Sequence, residues 1–161
     1  MLTREEKYMK LALKEAQKAF NKNEVPVGCV IVLNDKVISK AHNTKESKNN
    51  PLCHAEILAI NKACKKINDW RLENAELYVT LEPCLMCAGA IMQARIEKVI
   101  YGTEDLKNGS VDSLIKLYEV KGYNHYPKVQ SNVLKQECSD ILKKFFKELR
   151  KSTNKEKESL L

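Results

Sequence analysis

His54-Ala55-Glu56 and, beyond one predicted helix and one strand, Pro83-Cys84-Leu85-Met86-Cys87 constrain this chain more than any other feature. One imidazole and two thiols are zinc ligands, and a fold that uses them must bring the two segments to one point. Zinc takes four ligands in a tetrahedron; structural sites fill all four from protein, while catalytic sites keep one for solvent or substrate. Three donors beside a carboxylic acid describe an open site. Bound zinc lowers the pKa of water from 15.7 towards ~7, and an acid two residues from the imidazole is placed to move the protons. His54, Cys84 and Cys87 are the expected metal ligands, and Glu56 the expected catalytic residue.

Both segments fall at predicted helix starts, directly after loop or strand. Backbone N–H groups there are unpaired and the helix dipole is positive, which favours thiolate over thiol. Cys84 and Cys87 are three apart, so on a first helical turn they share a face. His54 and Glu56 are two apart and would point nearly opposite ways from a helix flank. Their spacing works when the metal lies off the helix end, near its axis, with Glu56 approaching the bound water from another side. A lone C-x-x-C also fits a redox pair or a closed structural zinc, for which His42, Cys53 and His125 are the nearest fourth ligands. The preceding proline, the upstream H-A-E and the strand before the motif favour the open site. Cys53 then reads as core, and His42 and His125 as loop residues near the substrate.

A chain of 161 residues suits one domain with its own core. A net charge of +7 is compatible with a polyanionic partner. Met1 to Lys22 lacks the apolar core of an export signal, and no run approaches the ~20 apolar residues of a membrane span. A cytoplasmic, reducing location is therefore expected, with Cys29, Cys53, Cys64 and Cys138 packed as small hydrophobes rather than disulfide-bonded.

Thr3 to Glu6 forms a capping box before a helical stripe of Met9, Ala12, Leu13, Ala16, Ala19 and Phe20. Val27–Leu33 and Lys36–Ala41 read as a β-hairpin turned at Asn34-Asp35, and Asn43 to Asn50 as a loop. A second helix begins near His54, with Ile57, Leu58, Ile60, Ala63, Cys64 and Ile67 on its apolar face. Leu77–Leu81 is a strand, Pro83 opens a third helix to about Ala94, and Lys98–Tyr101 is a strand ended by Gly102. A short helix over Leu114–Tyr118 and a strand at Lys128–Val129 follow. The last helix runs from about Val133 to Lys151, with Cys138, Ile141, Leu142, Phe145, Phe146 and Leu149 inward. Strands alternating with helices argue for one α/β domain, residues 1–151, around a central mixed sheet; residues 152–161 read as a frayed tail.

The pattern H-x-E…P-C-x-x-C resembles the signature of zinc nucleobase deaminases. The chain further resembles the bacterial tRNA-specific adenosine deaminases of the cytidine deaminase-like superfamily. The likeness runs through Glu24-Val25-Pro26-Val27-Gly28, His42-Asn43, Asp69-Trp70-Arg71-Leu72, Leu77 to Ala90, Arg95-Ile96, Val99 to Gly102, Asn124-His125 and Phe145-Phe146. It implies a three-layer α/β/α sandwich with a five-stranded mixed sheet. It also implies conversion of the wobble adenosine of an arginine tRNA anticodon to inosine, by a homodimer with one Zn2+ per subunit and the anticodon stem-loop lying across both. Asn43 matches the position that hydrogen-bonds the base, Asp105 and Lys107 a loop meeting neighbouring anticodon nucleotides, and Asn124 another anticodon contact. Ile91 and Met92 are candidate exposed residues for the dimer. Tyr126 stands where Arg is usual, and Asp112 and Asn132 where Gly is common; these departures bear on tRNA contacts.

In the implied reaction, activated water attacks the ring carbon bearing the exocyclic amine, and Glu56 moves protons from that water to the adjacent ring nitrogen and the departing ammonia. The excess of Lys and Arg over Glu from Lys143 to Lys157 reads as a solvated helix face or, beside a tRNA site, as a phosphate footprint. Two other functions fit parts of the pattern. One is a free-base or nucleoside deaminase of the guanine or cytosine type; the other is a zinc-stabilised RNA-binding module without catalysis.

Overall fold

The computed structural model describes residues 1–161. Helix α1, Arg4–Asn21, starts on the predicted capping box: the Thr3 hydroxyl accepts from the Glu6 N–H, and the Glu6 carboxylate accepts from the Thr3 N–H. Its buried stripe is Met9, Ala12, Ala16 and Ala19, small enough for the helix to lie against the sheet. Gly28 makes that approach possible, since a Cβ there would fall 1.9 Å from the Ala12 carbonyl oxygen. Strands β1, Gly28–Leu33, and β2, Lys36–His42, form the hairpin. Its turn residues Asn34 and Asp35 both take positive φ, the geometry a tight two-residue hairpin turn demands.

Helix α2, Ala55–Ile67, leads to β3, Glu76–Leu81, then α3, Leu85–Gln93, and β4, Lys98–Thr103. After a long loop come β5, Lys128–Gln130, and α4, Lys135–Ser159. The five strands make one mixed sheet in the order β2-β1-β3-β4-β5, with β1 antiparallel to both neighbours and β3, β4 and β5 parallel. Alternation along the strands divides the core. Cys29, Ile31, Leu77, Val79, Val99 and Tyr101 face α2 and α3, while Val30, Val32, Tyr78 and Ile100 face α1 and α4. The result is the three-layer α/β/α sandwich. No helix is long and apolar enough to cross a membrane, and all six cysteines are free thiols.

Several elements differ from the sequence pattern for identifiable reasons. β4 does not stop at Gly102 but passes through it to Thr103; a Cβ at Gly102 would meet Cys138 Sγ at 2.3 Å, so the glycine answers to α4 crossing behind it. The helix expected over Leu114–Tyr118 is a single 3-10 turn, Leu117–Glu119. On α2 the buried positions are Ala55, Glu56, Ala59 and Ala63, and the larger Ile57, Leu58 and Ile60 sit at the margins of the contact. Ile91 and Met92 of α3 are buried in the core, not on the surface. On α4 only Cys138 and Phe145 are buried, whereas Phe146 and Leu149 are 41% and 49% exposed. α4 also continues past Lys151 to Ser159 where a frayed tail is predicted; Lys and Glu there are good helix formers, and no Gly or Pro interrupts them.

Candidate active site and metal centre

α2 and α3 begin side by side at the carboxyl end of β3, and each puts a side chain able to bind metal at its N-cap. His54 caps α2 and Cys84 caps α3, both with extended backbone, and neither side chain bonds back to its own helix. N-cap residues usually spend their side chain on the free N–H groups of the first turn. Here the two side chains turn to each other. His54 Nδ1 lies 3.6 Å from Cys84 Sγ and 3.5 Å from Cys87 Sγ, the latter one turn into α3. With zinc bonds of about 2.3 Å to sulfur and about 2.0–2.1 Å to nitrogen, a tetrahedron has an N···S edge of about 3.6 Å. The donors therefore fit a zinc ion. They form a group of three, and His42, Cys53 and His125 are not among them.

The electrostatics favour thiolate. The Cys87 thiol and the His54 imidazole hold the Cys84 thiol down, to about 4, against the opposing effect of burial. Its neighbour Cys87, beside that thiolate and buried, is pushed up; a coordinating cation would deprotonate both. His54 is raised by its contact with Cys84, burial opposing. Glu56 is 4% exposed. Burial pushes its carboxyl above the ordinary range, and its contact with Cys87 partly opposes this.

His54, Glu56 and Cys84 line a cavity of about 900 Å³, and Asn43, Asp105 and Lys107 line the same space. The Asn43 side chain is a turn residue as well: its Oδ1 accepts from the Lys45 N–H (3.0 Å) and its Nδ2 donates to the Val25 carbonyl (3.2 Å). One N–H and one lone pair of the amide remain. Asp105 Oδ1 accepts from the Lys107 and Asn108 N–H groups, shaping the opposite loop. Asn124 is not brought to the cavity. It sits exposed on the loop before β5, where His125 Nε2–H donates to the Ile96 carbonyl (2.7 Å). His42, read from sequence as near the substrate, faces α1 instead, 3.7 Å from Glu15 and 3.4 Å from Lys22. Of the departures from the family pattern, Asp112 accepts a hydrogen bond from the Tyr101 hydroxyl (2.5 Å), and Asn132 takes the positive φ its replacement of Gly requires.

Three features of the site escape sequence reasoning. One face of α4, carrying Ser139, Leu142, Lys143, Phe146 and Arg150, walls the cavity, which explains why Phe146 is not core. The other two are buried carboxylates beneath the loops. Glu24 accepts from the N–H groups of Glu46 (3.1 Å) and Ser47 (2.5 Å), and Glu82 takes five donors from residues 105–113. The one available signal was at Glu82, a lone Glu between an apolar strand and Pro83; Glu24, which follows Asn21-Lys22-Asn23, carries none.

A mixed five-stranded sheet with a His-Cys-Cys donor set at the starts of two neighbouring helices defines the cytidine deaminase-like class. The family described as MafB19-like deaminase matches residues 3–150. A tRNA-specific adenosine deaminase of Bacillus subtilis (strain 168) is 48% identical over 159 residues, spanning 99% of both chains. Among solved structures, a tRNA:A34 deaminase described in connection with A-to-I editing at the wobble position superimposes with a TM-score of 0.82 at 43% identity, covering 84% of this chain and 99% of that one. A guanine deaminase of Bacillus subtilis matches less well, with a TM-score of 0.59 at 31% identity over 73% of this chain and 85% of that one. The chain belongs to the family of tRNA-specific adenosine deaminases.

Proposed function

We propose that this protein hydrolyses the exocyclic amine of adenosine at the wobble position of a tRNA anticodon, that of an arginine tRNA, giving inosine and ammonia. The carrying observation is that one cavity is lined by His54 and Cys84 of the three-donor cluster, with Cys87 buried behind them, by a buried carboxyl and by an amide able to read a base edge. A zinc ion held by His54, Cys84 and Cys87 supplies, when bound, the Lewis acidity that makes hydroxide available near neutral pH. Glu56 takes a proton from the attacking water and gives it to the ring nitrogen beside the carbon under attack. It then carries the second water proton to the amine, which leaves as ammonia. Asn43 offers its remaining donor and acceptor to the edge of a base turned out of the stack.

Lys45, Lys107, Lys143 and Arg150 line the same cavity. These cations favour a polyanionic substrate over a free base and support tRNA over the guanine or cytosine alternative. Asn124, away from this cavity, is assigned to the RNA only if the anticodon loop extends beyond it or across a second subunit. A homodimer with one zinc ion per subunit is part of the proposal. In place of Ile91 and Met92, the exposed Leu85, Leu114 and Ile115 support it, since they share a shallow depression beside Cys84.

Purified protein incubated with an arginine-tRNA anticodon stem-loop is expected to form inosine at the wobble position and to leave free guanine and cytosine unchanged. Glu56→Ala should keep its zinc and lose turnover by about 10²–10⁴, the range of a general acid–base group. Zinc content measured beside a single-turnover rate decides it; a Glu56→Ala protein as fast as wild type refutes the proton role. A protein that binds RNA and tolerates Glu56→Gln would instead be the non-catalytic module.

A further inference from the structure

The segment between β4 and β5 carries Asp105 and Lys107 and has a single 3-10 turn for secondary structure. A loop of that length in a compact domain holds one shape only where it is anchored. Its anchor is Glu82, 2% exposed. Oε2 accepts from the N–H groups of Val111 (3.1 Å), Asp112 (2.9 Å) and Ser113 (3.0 Å). Oε1 accepts from the Asp105 N–H (3.2 Å) and the Ser113 hydroxyl. Both oxygens are thus occupied, and none of this acceptor capacity is left for metal or substrate. Hydrogen bonds to an ionised acceptor are about twice as strong as neutral ones, so five on one buried carboxylate fix the loop firmly.

The same stretch that carries Glu82 carries the metal ligand Cys84. The loop returns to it twice more: Cys84 pairs with Gly109 in an isolated antiparallel bridge, and the Ser110 N–H donates to the Pro83 carbonyl (2.9 Å). Gly109 is the closest approach, where a Cβ would lie 2.5 Å from Glu82 Oε1 and 2.4 Å from the Asp105 carbonyl oxygen.

We propose that Glu82 is a positioning residue for substrate recognition: its carboxylate lashes the 105–113 loop to the Cys84 segment, so that the side chains meeting nucleotides beside the reacting base keep a fixed distance from the metal centre. The inference rests on the reading of that loop as an anticodon contact. Glu82→Gln keeps the shape but turns one acceptor into a donor facing N–H groups. Two measurements together test it. Amide exchange at Val111–Ser113, read without RNA, should accelerate by roughly tenfold or more, the scale of a lost hydrogen bond to a charged group. In protein of full zinc content, KM for the stem-loop should rise by about the same factor with a smaller fall in kcat. Preference between stem-loops that differ only at the nucleotide beside the adenosine should also collapse.

Gly109→Ala, whose Cβ would press on Glu82 Oε1 and the Asp105 carbonyl while the carboxylate stays chemically unchanged, should reproduce this pattern. A purely structural Glu82 predicts lower thermal stability and lower kcat, with KM and preference unchanged; that result overturns the proposal. Loss of zinc with unchanged exchange over the loop overturns it equally. If Glu82→Gln does not fold, Ser113→Ala removes one donor and should give the same pattern in smaller measure, and wild-type behaviour there counts against the clamp. Should wild type leave the stem-loop unreacted, the proposed function fails, while the exchange rates still decide whether Glu82 holds the loop.

Discussion

An N-cap residue has two uses for its side chain, and in His54 and Cys84 the donor cluster has taken precedence over the helix. Neither satisfies the free N–H groups of its own first turn, which leaves both helix ends positive beside the thiols. Cys84→Ser separates the two uses. Serine is among the best N-caps, worth about 0.5–2 kcal/mol over a residue that does not cap, and a poor zinc ligand. After chelation, Cys84→Ser protein is expected to melt above chelated wild type, while binding no zinc when the metal is returned. Thermal melts with and without chelator, beside zinc titration, check it; equal melting of the two apoproteins would mean that the cap contributes nothing. The convergence of His54, Glu56, Cys84 and Cys87 was legible in the sequence because few residue types make such a site and their spacing is tight. Glu24 and Glu82 were not legible. Their partners are backbone N–H groups some twenty to thirty residues away, and no side-chain pattern marks a backbone donor.

Helices and strands were legible to different depths. β1, β3 and β4 stand close to their apolar runs, because a short run bounded by turn residues leaves little choice of position. Helix faces were harder. α2 offered one broad apolar arc, and periodicity alone does not reveal that the small Ala55, Ala59 and Ala63 would meet the sheet while larger neighbours take the margins. On α4, Phe146 and Leu149 continue the apolar stripe although Phe146 walls a cavity rather than the core. Beyond Lys151 the helix has no buried residue, so this stretch contributes little to the fold. Deleting residues 152–161 should leave the thermal midpoint unchanged. If Lys155 and Lys157 meet phosphates, the deletion lowers the slope of log affinity against log salt for the stem-loop by about 1.5, from roughly 0.7–0.9 per phosphate contact. Binding measured across a salt series distinguishes the outcomes, and identical slopes mean a solvated helix end.

At the scale of the molecule the two ends of the sheet are held by different means. Buried carboxylates under loops hold the end that carries the site, and an ionic cluster on one arginine holds the other. Arg4 at the start of α1 donates to Asp35 of the hairpin turn (2.7 Å) and to Glu76 at the start of β3 (2.8 Å), and Glu76 also accepts from the Tyr78 hydroxyl (2.7 Å). Three segments distant in sequence meet there. Burial alone would raise the Glu76 carboxyl, but the Arg4 and Tyr78 hydrogen bonds outweigh it and hold it below its ordinary 4.5. With the folded pKa below the unfolded one, the unfolded chain binds more protons between them. The contribution is therefore complete above about pH 4.5 and drains away as pH falls through the lower, folded value. The group is partly exposed, so solvent screening limits it to about 1 kcal/mol or less. Glu76→Gln removes the titration and keeps the shape. It should be less stable than wild type at pH 7 by up to that amount, and the gap should close below pH 4.5. Any metal held by the His54 cluster would be lost in acid from both proteins alike, so the difference between their urea midpoints, taken from pH 7 to pH 3.5, isolates Glu76. A gap that stays constant over that range would show that the Glu76 carboxylate does not titrate with folding and that its contribution is not that of an ion pair.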